Sequence, residues 1–392
     1  MHSAMKAESM STLTEPIYLD HNATTPVAPE VLDAMLPWLR GEYGNPSSTH
    51  PYGQRAARAM AAARGQVAEL IGANAQEIVF TGCATEANNL ALLGVAHALG
   101  AGKRHLVVSA VEHPAVMAPA LVLRDQGWAL TVLPVDTSGR ISPDQLANAL
   151  RPDTALVSVM HANNEVGTLQ PIAEIAEITR PRAILLHTDA AQSVGKLPVS
   201  VDALGVDLLT IAGHKFSAPK GVGALYIRTG TPIRSVLHGA DQERGLRPGT
   251  ENVALIVAMG AAAALASTAL PGLSDRLLSL RDRLHAQLVT GVPGLRLNGD
   301  PERRLPNTLH VSFPGASGRA LLAAVSDTVA ASVGSACHSE QDAVSGVLAA
   351  MGLGAARASS AVRLSVGRAT QPEDIDLAAA ALVAAWNRLM LP

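Results

Sequence analysis

Between residues 77 and 227, short β-rich runs alternate with helical stretches, and this alternation restricts the fold more than any other feature of the chain. Glu77–Phe80 reads as a strand, followed by a loop over Thr81–Glu86 and a helix over Ala87–Leu99. Further strands are expected over His105–Ser109, Trp128–Val135, Ala155–Met160, Ala183–His187, Asp207–Ile211 and Gly223–Ile227. A helix over Ile172–Thr179 opens with Pro171, whose missing N–H suits a first helical position. The strands are continuous apolar runs, so the expected class is α/β, with a parallel sheet buried on both faces.

Later in the chain the pattern changes. Thr308–Phe313, Val329–Ser332 and Val362–Val366 read as strands, with helices near Arg319–Val325 and Glu373–Leu389. This describes a smaller α+β domain, giving a large domain over 17–255 and a small one over 256–392. The segment from Thr14 to about Arg40 precedes the large sheet and suits either part. The uncharged stretch Asn252–Ser274 is mostly alanine and lacks aromatic anchors, so a buried helix is expected there rather than a membrane span.

Composition removes several functions. Lys and Arg number 30 against 33 Asp and Glu, a net charge of −3, which does not suit a phosphate backbone as the main ligand. Aromatics at 3% provide few stacking platforms for single-stranded nucleic acid. Hydrophobic residues at 48% over 392 positions suit well-filled cores and exclude a disordered chain. Two cysteines, Cys83 and Cys337, make neither a disulfide framework nor a four-cysteine zinc site. Residues 1–16 are polar and carry no apolar export core, so a cytoplasmic location is expected.

Common phosphate and nucleophile motifs fail on inspection. Gly100-Ala-Gly-Lys103 has His97 and Arg104 where a phosphate loop needs Gly and Ser or Thr. Gly221-Val-Gly223 lacks the third glycine of a dinucleotide fingerprint. Neither a His-Glu-x-x-His nor a Gly-x-Ser-x-Gly sequence occurs.

Ligands of open α/β sheets bind beyond the carboxyl ends of the strands. Polar residues collect there: Thr81-Gly-Cys-Ala-Thr-Glu86, Val111-Glu-His113, His161-Ala-Asn-Asn-Glu165, Thr188-Asp-Ala-Ala-Gln192 and Ala212-Gly-His-Lys215. A lysine amine, an anion and a helix N-terminus are what pyridoxal phosphate needs for its aldehyde, ring nitrogen and phosphate. The chain has five lysines. Lys6 is in the N-terminal tail, and Lys103 and Lys196 are not at strand ends, which leaves Lys215, with Lys220 in the same loop as a rival.

Seven segments in order complete the pattern: Tyr18-Leu-Asp-His-Asn-Ala-Thr-Thr-Pro26, Gly44-Asn-Pro-Ser-Ser48, Val111-Glu-His-Pro114, Asn163-Asn-Glu165, His187-Thr-Asp-Ala-Ala-Gln192, Gly213-His-Lys215 and Arg247-Pro-Gly-Thr250. With them the chain resembles the class V aminotransferase superfamily, and within it the cysteine desulfurases of the nitrogen-fixation and iron–sulfur-assembly type. Ala331-Ser-Val-Gly-Ser-Ala-Cys337-His-Ser-Glu340 and Ala361-Val-Arg-Leu-Ser-Val-Gly-Arg368 look closer to the animal selenocysteine lyases. The resemblance implies the fold type I of pyridoxal-phosphate enzymes, with a mostly parallel seven-stranded sheet. It also implies a homodimer acting on L-cysteine or L-selenocysteine, and a protein that accepts the sulfur.

The roles it implies fall on named residues. Lys215 would anchor the cofactor and carry the substrate α-proton. Asp189 would pair with the ring nitrogen, Gln192 would donate to the ring oxygen, and His113 would stack on the ring. Ala84, Thr85 and His214 would hold the phosphate, with Thr250 reaching it from the partner subunit. Asn164, beside the cofactor, and Arg363 would clamp the substrate carboxylate. Cys337, in a Gly/Ser/Ala-rich loop, would attack the substrate sulfur and carry it as a persulfide. Cys83 reads as a small packing residue in a tight turn. Ala212 stands where many iron–sulfur-assembly enzymes have a phosphate-binding serine, and Gly239-Ala-Asp241 where consecutive glycines are common.

Overall fold

In a computed structural model, the structure describes residues 15–100, 102–334 and 345–391. The chain starts with strand β1 (Ile17–Tyr18) and helices α1 (Pro29–Arg40) and α2 (Pro51–Leu70). Strands and helices then alternate: β2 (Ile78–Thr81), α3 (Ala84–Leu99), β3 (His105–Ser109), α4 (Pro114–Asp125), β4 (Ala129–Leu133) and α5 (Pro143–Ala149). They continue through β5 (Thr154–Ser158), α6 (Ile172–Thr179), β6 (Leu185–Asp189), α7 (Val201–Leu204), β7 (Leu208–Ala212) and β8 (Gly223–Ile227). After the long helix α8 (Val253–Gly291) come β9 (Arg296–Leu297), β10 (Thr308–Ser312), α9 (Gly318–Ala324) and β11 (Val329–Ala330). The described chain ends with α10 (Gly346–Ala350), α11 (Ala355–Ser359), β12 (Ala361–Ser365) and α12 (Pro372–Met390).

The large sheet has seven strands in the order β2-β8-β7-β6-β5-β3-β4. Its strands are parallel except β8, which runs antiparallel to both neighbours. The sheet is therefore mostly parallel and seven-stranded, as expected, and β8 is its one antiparallel strand. Strands β7 and β8 are joined by a loop without a crossover helix, and a parallel return needs a longer connection. Successive residues of β3 face opposite cores: Val107 belongs to the core that includes residues of α2, α6 and α8, while Leu106 and Val108 belong to the one that includes residues of α3 and α4. Burial on both faces explains the unbroken apolar runs.

Pro171 is corrected by one position. It caps α6 from outside, with φ −82° and ψ 60°, and the helix proper begins at Ile172. The boundary drawn between residues 255 and 256 falls inside α8. The first half of that helix, including Met259, Ala262 and Ala263, belongs to the large core, and its second half, Leu277 to Leu288, to the small one. Among the described helices α8 alone has the length and apolarity to cross a membrane. Here its small residues let α2 approach closely, since a side chain at Gly260 would meet Ala63 Cα at 2.5 Å. The N-terminal segment joins the small core through Ile17 and Leu19, because β1 pairs with β11.

Candidate active site

The carboxyl ends of the parallel strands open into a cleft of about 1140 Å3. It is lined by Ala84, Thr85, His113, Asn164, Asp189 and Gln192, and by His214, Lys215 and Arg363. Nine of the sequence-derived candidates therefore meet in one place. Thr250 does not: it is exposed and outside the lining. Cys337 lies outside the described residues, although Gly334 and Gly346, on either side of it in the chain, both line the cleft.

Lys215 follows β7 in the loop that turns back to β8. Its Nζ donates to the carbonyls of Asn22 (2.5 Å) and Ala23 (2.9 Å). Burial, reinforced by the Arg363 guanidinium and opposed by Asp189 and Asp20, holds the amine at about 8 instead of its usual 10.5. The rival Lys220 is exposed and does not line the cleft. The lysine loop is clasped by the N-terminal segment: Thr25 donates through N and Oγ1 to the His214 carbonyl, and His214 Nδ1 meets Thr24 Oγ1 at 3.1 Å. This explains the Asn22-Ala-Thr-Thr25 run. Burial, with the nearby lysines, pushes His214 down to about 4, so it is neutral at pH 7.

Helix α3 begins at Ala84, three residues before its expected start, so Thr85 is in the first turn and not in a loop. The helix has no side-chain cap, and the N–H groups of Ala84, Thr85 and Glu86 precede any intrahelical acceptor. That end attracts anions. Strand β8 brings Gly223 hard against it, where a side chain would meet Ala84 N at 2.9 Å. Cys83 is a correction. As the residue before the helix it is exposed at the cleft wall and not packed in a core, because the cap position turns its side chain off the helix. Ala212 also lines the cleft, so the hydroxyl its position often carries is absent there.

Asp189 is the last residue of β6 and not a residue beyond it, since its backbone still pairs with Thr210. It is 7% exposed and accepts from Asn88 Nδ2 (2.7 Å) and Ala191 N (2.9 Å). These two donors leave carboxylate lone pairs free towards the cleft. His113 caps α4, its Nδ1 accepting from Ala115 N at 3.1 Å, which leaves Nε2 to carry the proton. Burial and Lys215 lower its pKa against the pull of Asp189, so it is neutral at pH 7.

Arg363, on β12 of the small domain, faces the large domain. Nη2 reaches Asp20 Oδ1 at 2.7 Å and Nη1 the Asn164 carbonyl at 2.9 Å, while its buried Nε has no partner. Arg363→Lys keeps the charge but loses the planar fork. If Arg363 holds a substrate carboxylate, as the resemblance implies, the Michaelis constant should rise about ten- to a hundredfold, the value of one or two charged hydrogen bonds. An unchanged Michaelis constant would remove Arg363 from the substrate site.

Three contributors escaped the sequence reading. Asn22 joins the parts: its Nδ2 donates to Thr308 Oγ1, its Oδ1 accepts from Asn307, and its carbonyl meets Lys215. Asn88 lies one turn along α3 from Thr85. Glu112, beside His113 in a quoted motif, is buried in the cleft wall with Oε1 bonded to Ser109 Oγ and Met160 N, and Oε2 unpartnered. Burial, with a smaller push from Asp189, raises it to about 8. Below that pH the folded chain keeps a proton that the unfolded chain releases near 4.5, so stability is lost as pH rises towards 8 and no further above it. Glu112→Gln removes the titration. Its melting temperature should gain on wild type from about pH 5 to about pH 8 and then hold, and parallel curves would contradict the assignment.

The loop with Gly239-Ala-Asp241 leads into Glu243 and Arg244, both left-handed at φ 48° and 59°. Glu243 is held there by Arg64 and by Phe80 N at 2.8 Å, so this turn is fixed by ion pairing to the large domain.

An anchoring amine, a hydrogen-bonded anion and an open helix N-terminus in one cleft, with an arginine from a second domain, define an amino-acid enzyme of the pyridoxal-phosphate kind. The chain belongs to the class-V aminotransferase family, whose model matches residues 17–377. It is 45% identical over 361 residues to the cysteine desulfurase IscS of Dictyoglomus turgidum, covering 92% of each chain. The solved structure of a NifS-like protein is 37% identical with a TM-score of 0.89, over 96% of this chain and 99% of that one. SspA in complex with cysteine is 36% identical with a TM-score of 0.80, over 90% and 99% respectively.

Proposed function

We propose that the protein is a cysteine desulfurase, which converts L-cysteine to L-alanine and passes the sulfur to its own Cys337. The observation that carries this reading is the meeting of Lys215, Asp189 and the α3 N-terminus in one cleft closed by Arg363. The residues fit pyridoxal phosphate. Asp189 has acceptor capacity left for a ring N–H, the first N–H groups of α3 with Thr85 and His214 suit its phosphate, and Lys215 lies in the same cleft. Bound there, the cofactor supplies an aldehyde for the lysine and an electron sink for the pair released at the substrate Cα.

The chain's own groups do the rest. Arg363 and Asn164 bind the substrate carboxylate between the domains. Lys215, neutral above about pH 8 and about one tenth neutral at pH 7, takes the α-proton at Nζ. Neutral His113 offers a proton from Nε2. The Cys337 thiolate forms a bond to the substrate Sγ as the Cβ–Sγ bond breaks, its electron pair stays with the carbon, and that carbon gains a proton to become alanine. Thiol and cysteine give persulfide and alanine, with no external oxidant. Thr250, exposed and outside the lining of its own cleft, is assigned to the cleft of a second copy in a homodimer. The C-terminal resemblance to selenocysteine lyases is not favoured by the relatives, which carry the desulfurase name.

The experiment is incubation of the loaded enzyme with L-cysteine and a reductant. Alanine and sulfide are expected in equal amounts, with no amino-group acceptor needed. Pyruvate formation that requires an acceptor would replace this reading with an ordinary aminotransferase. A second expectation concerns loading. Covalent capture of pyridoxal phosphate needs the neutral amine, so its rate should climb about tenfold per pH unit up to about pH 8 and then level off. A rate still climbing towards pH 10 would show an ordinary, solvated lysine at the site.

A further inference from the structure

Lys196 is a buried lysine that the chemistry above leaves unused. It is 5% exposed, and among the described residues no carboxylate lies within ion-pairing distance. Burial first, then Lys215 and Arg363, depress its pKa well below the usual range. Its Nζ makes two hydrogen bonds, to Gln192 Oε1 at 2.9 Å and to Asn22 Oδ1 at 3.1 Å. A neutral amine has two N–H donors, and an ammonium has three and no acceptor. A neutral amine also carries a lone pair, but Gln192 Nε2 is spent on the Asn22 carbonyl, which leaves Oε1 facing Nζ, so Lys196 donates to both amide oxygens.

This decides which way both amides point. With Gln192 Oε1 turned to Lys196, Nε2 faces the other way, donating to the Asn22 carbonyl at 3.0 Å and keeping one hydrogen for the cleft that Gln192 lines. Asn22 is fixed in the same sense: its Oδ1 accepts from Lys196 and Asn307, and its Nδ2 donates to Thr308 Oγ1 and the Asn164 carbonyl. Without the lysine, only the Asn22 carbonyl would orient the Gln192 amide, and Oε1 would lose its partner.

We propose that Lys196 is a positioning residue for the cofactor: by donating to Gln192 Oε1 it orients the Gln192 NH2 group towards the cofactor's ring oxygen. This rests on the pyridoxal-phosphate reading of the cleft. Lys196→Met removes the donor at similar volume. The loaded variant should still take up cofactor through Lys215, but the ratio of its two cofactor absorption bands should change about fivefold, the equilibrium value of one net hydrogen bond. Gln192→Leu should change it in the same direction, and Lys196→Met added to Gln192→Leu should add nothing.

A Lys196→Met holoenzyme with the wild-type spectrum, or two effects that add independently, would overturn the proposal. If Lys196→Met does not accumulate, neutron diffraction from the wild-type holoenzyme decides, because deuterons must lie on Lys196 towards Gln192 Oε1 and on Gln192 Nε2 towards the cofactor. The reverse orientation overturns it. If wild type takes up no cofactor band that Lys215→Ala removes, then the reading of the cleft has failed and not the role of Lys196.

Discussion

Lys215→Ala is expected to abolish both the covalent attachment of pyridoxal phosphate and alanine formation, the latter by about 10³-fold or more. The size of the effect follows from the placement of the amine. In the proposed reaction Lys215 combines the anchoring group and the α-proton carrier in one Nζ, so one substitution removes two functions. No other described lysine can replace it. Lys196 is turned away onto Gln192 and Asn22, Lys103 donates to the Ala183 carbonyl, and Lys220 is exposed beyond the cleft. The α3 N-terminus and Asp189 remain in the variant, so cofactor should still bind without its covalent link. Measurement of bound cofactor before and after dialysis, with alanine production, checks both halves. Wild-type attachment in the variant would move the anchor to another lysine.

Cys337→Ala is expected to separate loading from sulfur transfer. Cofactor uptake and its spectrum should match wild type, because the groups assigned to the cofactor all lie elsewhere. Alanine formation from L-cysteine should fall at least about a hundredfold, a loss of about 2.7 kcal/mol of transition-state stabilisation. Activity on L-selenocysteine should suffer less, since a selenol is more acidic and its carbon–selenium bond is cleaved with less help. Equal losses on both substrates would mean that Cys337 serves substrate binding instead of attack on sulfur. Cys83 is exposed in the cleft at the N-terminus of α3, so Cys83→Ala serves as the control for a general thiol effect.

The large domain was legible because burial on both sheet faces writes continuous apolar runs into the sequence. His105–Ser109, Ile172–Thr179 and Gly223–Ile227 have the expected bounds, and other strand ends shift by one or more residues. Candidates at strand ends were legible for the same reason: Lys215, Asp189 and His113 each sit where an apolar run stops. Direction was less legible. The antiparallel course of β8 depends on a connection lacking a helix, which periodicity within the strand cannot register.

Groups fixed by distant partners were not legible at all. Asn22 depends on Asn307 and Thr308, nearly three hundred positions away in the chain, and Arg363 on Asp20. The exposure of Cys83 depends on the start of α3, where Ala84-Thr-Glu86 read as loop because the preceding Gly82 signals a turn. The unpaired oxygen of Glu112 is a property of packing, with no local sequence mark.

In the proposed reaction the amine of Lys215 and the thiol of Cys337 act in a single transfer of sulfur. Mixing the loaded enzyme with L-cysteine in the absence of reductant tests it most directly, with mass spectrometry of the peptide containing Cys337 and assay of alanine in the same sample. A gain of one sulfur atom on Cys337 and an equal amount of alanine are expected. An unmodified Cys337 peptide alongside alanine, or sulfur on Cys83 instead, would contradict it.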